Sequence, residues 1–176
     1  MRRIAVIGNA GGGKSMLCAQ LGEALGIGVY QIDHIQWKPG WVHASEAEIR
    51  QKHDVWMALE CWIIDGWGSW SMIEERFQIA DTIIVVDHPL AWHYWWTIKR
   101  QAQCLFRLRP DGPEGCPMLP MTWQLLRMVW QVHSLLRPRL LQMVETLHES
   151  KQVIYLRSPQ EVKQFQENLT PILTTS

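Results

Sequence analysis

Five short apolar runs punctuate this chain of 176 residues, and amphipathic stretches separate them. Ile4 to Ile7, Gly28 to Ile32, Cys61 to Ile64, Thr82 to Val86 and Gln152 to Leu156 are short, bounded by turn or polar residues, and mostly β-branched. Such runs read as buried strands. Lys14 to Leu25 instead carries Leu17, Leu21, Ala24 and Leu25 at helical spacing, with Gly26 as a stop. Ser45 with Glu48, Ser71 with Glu74, and Ser158 with Glu161 fit the S-x-x-E capping box and predict three helix starts. The first of these helices should run over about 46–59 and the second to about Ala80. Pro89 suits the first turn of a helix reaching about Phe106. Thr122 opens a long helical pattern that Pro138 should break or kink, with a helix from there to about His148. Two stretches read as turn or loop: His34 to Trp41, around Lys38-Pro39-Gly40, and Arg109 to Pro120, with four prolines and two glycines.

Strands alternating with helices predict an α/β fold, in which a five-stranded parallel sheet has helices on both faces. Right-handed crossovers place every strand's carboxyl end on one edge, where ligands bind in open α/β sheets. Gly8, Asp33, Asp65 and Asp87 follow or end four of these strands, so they should converge on one site.

Length and composition narrow the class. The expectation is one domain over residues 1–168 with a tail at 169–176. A hydrophobic share of 47% is ordinary, and 17 basic residues balance 17 acidic ones. A formal net charge of zero gives no general call for nucleic acid or an anionic membrane, so DNA as a partner is not supported by charge. Cys18, Cys61, Cys104 and Cys116 fit no usual zinc spacing and read as reduced thiols. No apolar run has the length of a transmembrane helix or a signal peptide, which places the protein in the cytoplasm. Eleven tryptophans, grouped in 37–70 and 92–130, are expected to fill the core and lobe interfaces, or in part to line a pocket and stack on a base.

The chemistry starts at Gly8-Asn9-Ala10-Gly11-Gly12-Gly13-Lys14-Ser15, which matches G-x-x-x-x-G-K-[ST] between a strand and a helix. Glycines let backbone N–H groups turn inward as a concave anion nest, and the helix N-terminus adds partial positive charge. Lys14 reaches the β- and γ-phosphates of a nucleoside triphosphate, expected to be ATP, and Ser15 ligates Mg²⁺. An acid at a strand end beside this loop can hold a magnesium-bound water; Asp65 and Asp87 both qualify, and periodicity does not choose between them. Asp33 reads as an acceptor-binding group or general base, with His34 a weaker candidate. From Lys99 to Arg139, seven basic residues (Lys99, Arg100, Arg107, Arg109, Arg127, Arg137 and Arg139) face only Asp111 and Glu114, a local excess of +5. Guanidinium groups donate bidentately to phosphates. A basic lid over about 100–137 would neutralise a transferring phosphoryl group through Arg100, Arg107 and Arg137, while Arg109 and Arg157 hold the nucleotide.

Several segments together resemble a family. These are the P-loop, Asp33-His34-Ile35-Gln36-Trp37-Lys38-Pro39-Gly40-Trp41, Trp62-Ile63-Ile64-Asp65-Gly66, Ala80 to Ile84, Arg109-Pro110-Asp111 with Glu114-Gly115-Cys116, Arg137-Pro138-Arg139, and Val153 to Ser158. Over nearly its whole length the chain is similar to the FlaR-type "topology modulation proteins", adenylate-kinase-like P-loop NTPases. The resemblance implies strand order 2-3-1-4-5, an acceptor lobe over about 34–60, and Asp65 as the magnesium-shell acid. It implies a kinase that passes the ATP γ-phosphoryl group to a small, nucleotide-like acceptor, with a nucleotide-switched ATPase acting on DNA topology as the alternative. One departure stands out: Trp67-Gly68 follows Asp65-Gly66, where members usually have Asn-Tyr.

Overall fold

The β-branched runs pair as the pattern predicts. The structure, a computed structural model, describes residues 1–104 and 113–169. Strands β1 (Arg3–Gly8), β2 (Val29–Gln31), β5 (Trp62–Asp65), β6 (Thr82–Val86) and β7 (Gln152–Leu156) form one sheet in the order β2-β5-β1-β6-β7, with every pairing parallel. Strands β3 (Trp37–Lys38) and β4 (Val42–His43) pair separately as a hairpin. The sheet order, counted over its own strands, is therefore 2-3-1-4-5.

Alternation along each strand divides the core in two. Ala5, Ile7, Ile64, Ile83 and Val85 face a cluster built with Ile73 and Phe77 of α4 (Trp70–Ile79) and Leu140 and Val144 of α7 (Arg137–Leu147). Ile4, Val6, Ile63, Ile84, Val86 and Leu156 face Leu17 and Leu21 of α1 (Lys14–Leu25) and Val162 of α8 (Pro159–Leu169). Each of these Val, Ile, Leu and Phe side chains is close to fully buried and contributes about 1.5–3 kcal/mol of transfer free energy. Apolar residues on both strand faces are what a doubly covered parallel sheet requires.

The helix boundaries differ from expectation in instructive places. Segment 34–41 is not one turn: α2 (Ile32–Gln36) carries Asp33 and His34, and the β3–β4 hairpin follows. The helix cap before α4 is Ser69, whose hydroxyl accepts from the Met72 N–H at 3.4 Å, so Ser71 lies inside the first turn. Ser45 and Glu48 do form both bonds of a capping box at the start of α3 (Glu46–Met57). Helix α5 (Leu90–Gln103) ends before Phe106, which lies outside the described residues. The α-helix opened at Thr122 is interrupted before Pro138, which stands in the first turn of α7 (Arg137–Leu147). Between α6 (Thr122–Gln131) and α7 the chain makes a π-helical turn, Val132–Leu136, and the Arg137 N–H bonds to the Val132 carbonyl five residues back. The wider turn leaves room for a residue without an N–H donor.

The tryptophans also divide differently. Trp62 is fully buried, whereas Trp95 and Trp123 are 60% and 77% exposed, and Trp92, Trp96 and Trp130 are exposed with them on α5 and α6. All four cysteines are free thiols. Among the described residues no helix is long and apolar enough to cross a membrane.

His53 of α3 is buried with no hydrogen-bond partner on either ring nitrogen. Burial, then the Arg76 charge, lowers its pKa to about 4. Because the folded value lies below the ordinary 6.5, the contribution is present above pH 6.5 and is lost as pH falls towards 4. The melting temperature is expected to fall over that window, and His53→Leu should remove up to roughly 3 kcal/mol of the loss. An identical acid limb in the variant, followed by circular dichroism, would contradict this.

Candidate functional site

An anion nest turns its amides inward, so its carbonyls face outward and need donors of their own. Each of four loop carbonyls has one. Gly8 O accepts from the Trp67 indole N–H at 2.9 Å, and Asn9 O from Lys14 Nζ at 2.9 Å. Ala10 O accepts from His93 Nδ1 at 2.9 Å, and Gly12 O is 3.3 Å from His88 Nε2. A carbonyl only accepts, so these ring nitrogens carry the protons: Nδ1 in His93 and Nε2 in His88. Burial, with the neighbouring His88 and Lys14 charges, lowers the His93 pKa to about 4 against the raising effect of the Ala10 bond, so the ring is neutral at pH 7. The Asn9 side chain fixes the loop further, accepting from the Ala10 N–H at 2.8 Å and donating to Val129 O of α6 at 2.7 Å. Two glycines are structurally required. A Cβ on Gly8 would sit 2.2 Å from Val86 O, and Gly13 starts α1 at φ 79°.

The two candidate acids separate by strand phase. Asp65 is in phase with Ile63, on the α1 side of the sheet, and accepts from Ser15 Oγ at 3.2 Å. Asp87 follows β6 in phase with Ile83 and Val85, on the α7 side, and is held by Arg137 through bonds of 2.5 and 2.8 Å. Asp65 is 5% exposed, and its Oδ1 has no partner. Burial raises its pKa; Lys14 lowers it, Asp33 raises it, and Ser15 and Arg76 lower it. Arg76, 1% exposed, donates through Nη2 to Gly66 O at 2.9 Å and to Trp67 O, which braces the chain just after Asp65. Burial lowers its pKa to about 10, and Asp65 supports the charge, so it stays cationic at neutral pH.

The structure brings Gly8 to Ser15 and Asp65 together, with Asp33 exposed nearby on α2. Arg100 is on α5, and Arg157 lies over the Tyr155 ring at 5.2 Å at the end of β7. Arg107 and Arg109 lie outside the described residues. Arg137, Asp87, His88, His133, Tyr155 and Arg157 line a cavity of about 450 Å³ beside the loop. Trp67, Arg76, His88 and His93 have no functional role on sequence grounds alone. Trp67 is visible there only as a departure from a family pattern, and nothing in the spacing of the other three points to the loop.

The donor set fits a magnesium triphosphate. Hard oxygens from Ser15 and Asp65, one of them unpartnered, stand beside the lysine-tipped nest. No family model and no curated protein matches the chain. Solved structures do match in fold. Shikimate kinase from Acinetobacter baumannii in complex with shikimate has a TM-score of 0.56 at 16% identity, covering 100% of this chain and 95% of that one. Shikimate kinase from Bacteroides thetaiotaomicron gives 0.51 at 15% identity, covering 98% of each chain. A sugar kinase from a Janibacter species, unliganded, gives 0.52 at 15% identity, covering 100% of this chain and 96% of that one. The chain thus shares the fold of these solved structures, a five-stranded parallel sheet with helices on both faces.

Two outcomes are expected. Asp65 has a raised folded pKa, so its ionisation costs stability as pH rises above the ordinary 3.8. Asp65→Asn should therefore raise the melting temperature of the metal-free protein at pH 7, with a gain that shrinks as pH falls towards 4. A variant less stable than wild type at pH 7 would contradict this. His93→Leu removes the donor to Ala10 O and should weaken ATP binding about tenfold, while His93→Asn, which keeps an N–H there, should retain most of it. Equal affinities in titration calorimetry for wild type and the Leu variant would rule out the clamp.

Proposed function

We propose that this chain is an ATP-dependent kinase of a small hydroxyl-bearing molecule. The observation that carries the reading is the pair of contacts at the nest mouth, Lys14 Nζ to Asn9 O and Ser15 Oγ to Asp65, on a P-loop kinase fold. The names of the similar structures, shikimate kinase and sugar kinase, point the same way.

In this reading the N–H groups of Gly8 to Ser15 wrap the phosphates and Lys14 spans the β- and γ-oxygens. Ser15 and Asp65 would hold Mg²⁺, which would draw charge from the triphosphate. The cavity beside Arg137 and Arg157 takes the nucleoside, with Arg137 held in its wall by Asp87. Arg100 and Arg107 of the lid over 100–137 neutralise the transferring group, and Arg109 steadies the nucleotide. Asp33 takes the proton of the acceptor hydroxyl. That oxygen forms the new bond to the γ-phosphorus as the bond to the β-phosphate oxygen breaks and ADP leaves. The acceptor lobe is residues 34–60.

Lys14→Ala should abolish ATP-dependent phosphoryl transfer, and undiminished turnover in that variant would refute the proposal. Asp33→Asn should lower kcat about 10²–10⁴-fold at unchanged ATP affinity, measured by ADP release and by calorimetry.

A further inference from the structure

A second cavity, of about 560 Å³, opens between residues 36–50 and the chain entering α4. Its polar wall is Gln36, His43, Glu46, Arg50, Ser69 and Ser71, and Ile49 and Met72 form an apolar part. Its volume lies within the range of small-molecule sites. Its position ties it to the P-loop. Gln31 pairs with Asp65, and Asp65 with Val6, so the carboxyl ends of β2 and β5 lie beside that of β1. Gln36 is one helical turn after Asp33, and Ser69 is four residues after Asp65, whose carboxylate meets Ser15.

The charges on this wall are selective. Among the described residues Arg50 is its only guanidinium, and that group is already engaged. Nη2 donates to Glu75 at 2.8 Å and Nε to Asp54 at 3.3 Å. Glu46 has no ion-pair partner among the described residues. Asp54 and Glu75 lie behind the wall and more than neutralise Arg50, and Glu46 adds a carboxylate on the wall itself. A phosphate or carboxylate entering here would lose water without gaining a free cation. The rest of the wall offers an amide, an imidazole and two hydroxyls, which are groups that exchange hydrogen bonds with hydroxyls. Among the described residues His43 is the one aromatic ring on the wall, and Trp37 packs its edge against it at 5.2 Å, so there is no pair of flat faces to hold a nucleobase.

From these contacts we infer that the acceptor is a small polyhydroxy compound without an anionic group, neutral or amine-bearing, rather than a mononucleotide or a hydroxy acid. This rests on the kinase reading of the previous section and names the substrate class of its acceptor site. Its hydroxyls bond Gln36, Ser69 and Ser71, and an amine, where present, is placed by Glu46.

The test uses the full chain with MgATP and follows ADP release and product mass. The acceptor panel holds neutral sugars and polyols, amino sugars, nucleoside monophosphates, and hydroxy acids including shikimate. Stimulation of at least tenfold over the acceptor-free rate is expected from members of the first two classes and from neither anionic class. For the accepted compound, Gln36→Leu should raise KM at least fivefold with ATP affinity unchanged, and Glu46→Gln should raise KM only for amine-bearing acceptors. Preference for a mononucleotide or a hydroxy acid overturns the substrate class and leaves the kinase reading standing. A KM unmoved by Gln36→Leu overturns the assignment to this cavity. No stimulation by any class, in protein shown to bind ATP, overturns both readings.

Discussion

Turning a run of amides inward exposes the same number of carbonyls on the outside, and a buried carbonyl without a donor costs about as much as a lost hydrogen bond. The loop after β1 meets this demand with side chains from three directions. Trp67 comes from the segment after β5, His88 and His93 from the segment after β6 and from α5, and Lys14 from α1 itself. Asn9 adds a bond to α6. The shape of the nest is therefore a property of the assembled sheet edge and not of eight residues alone. A neutral His93 suits this position, because it gives one N–H to Ala10 O without placing a second buried cation behind Lys14.

A second constraint is charge burial. Asp65 and Arg76 are both almost inaccessible, and each is pushed by burial towards its neutral form. They lie close enough to support one another's charge, with Lys14 as a further counter-charge for the carboxylate. At Asp65 burial outweighs these counter-charges, and its carboxyl is held above the ordinary value. The arrangement holds an under-coordinated carboxylate beside the Ser15 hydroxyl, the kind of oxygen pair that a hard cation and its water shell satisfy.

Two of the sequence segments that carry the family resemblance are contact partners. The hairpin carrying Trp37-Lys38-Pro39-Gly40-Trp41 is held by the loop carrying Glu114-Gly115-Cys116. Gly40 N–H donates to Gly115 O at 2.9 Å, Trp41 Nε1 to Pro117 O at 2.7 Å, and the Cys116 thiol to Lys38 O at 3.3 Å. Trp41 has φ 62°, a left-handed conformation that costs an L-residue about 1–2 kcal/mol, and its indole bond to Pro117 helps to hold it there. The β3–β4 hairpin and the loop bordering residues 105–112 are thereby joined across 76 positions of sequence.

The sequence by itself determined the five strands of the parallel sheet, most helices, the sheet's parallel sense and the loop that faces the phosphates, but not the β3–β4 hairpin. All of these follow from local periodicity and local stereochemistry, which a sequence displays directly. It marked an interruption at Pro138 but not the π turn over Val132–Leu136 that makes it, because such a turn leaves no mark in apolar spacing. It placed too many tryptophans inside, because exposure depends on what packs against α5 and α6. It missed Trp67, His88 and His93, whose partners are carbonyls that any sequence of residues presents alike. The choice between Asp65 and Asp87 shows the limit most clearly. Both end apolar strands beside β1, and both alternate in phase with buried neighbours. Only the tertiary structure decided that α1 covers the face in phase with Asp65 and α7 the face in phase with Asp87. One acid therefore meets Ser15 and the other Arg137. Alternation tells which residues share a face, but which helix covers that face is settled by packing of the whole chain.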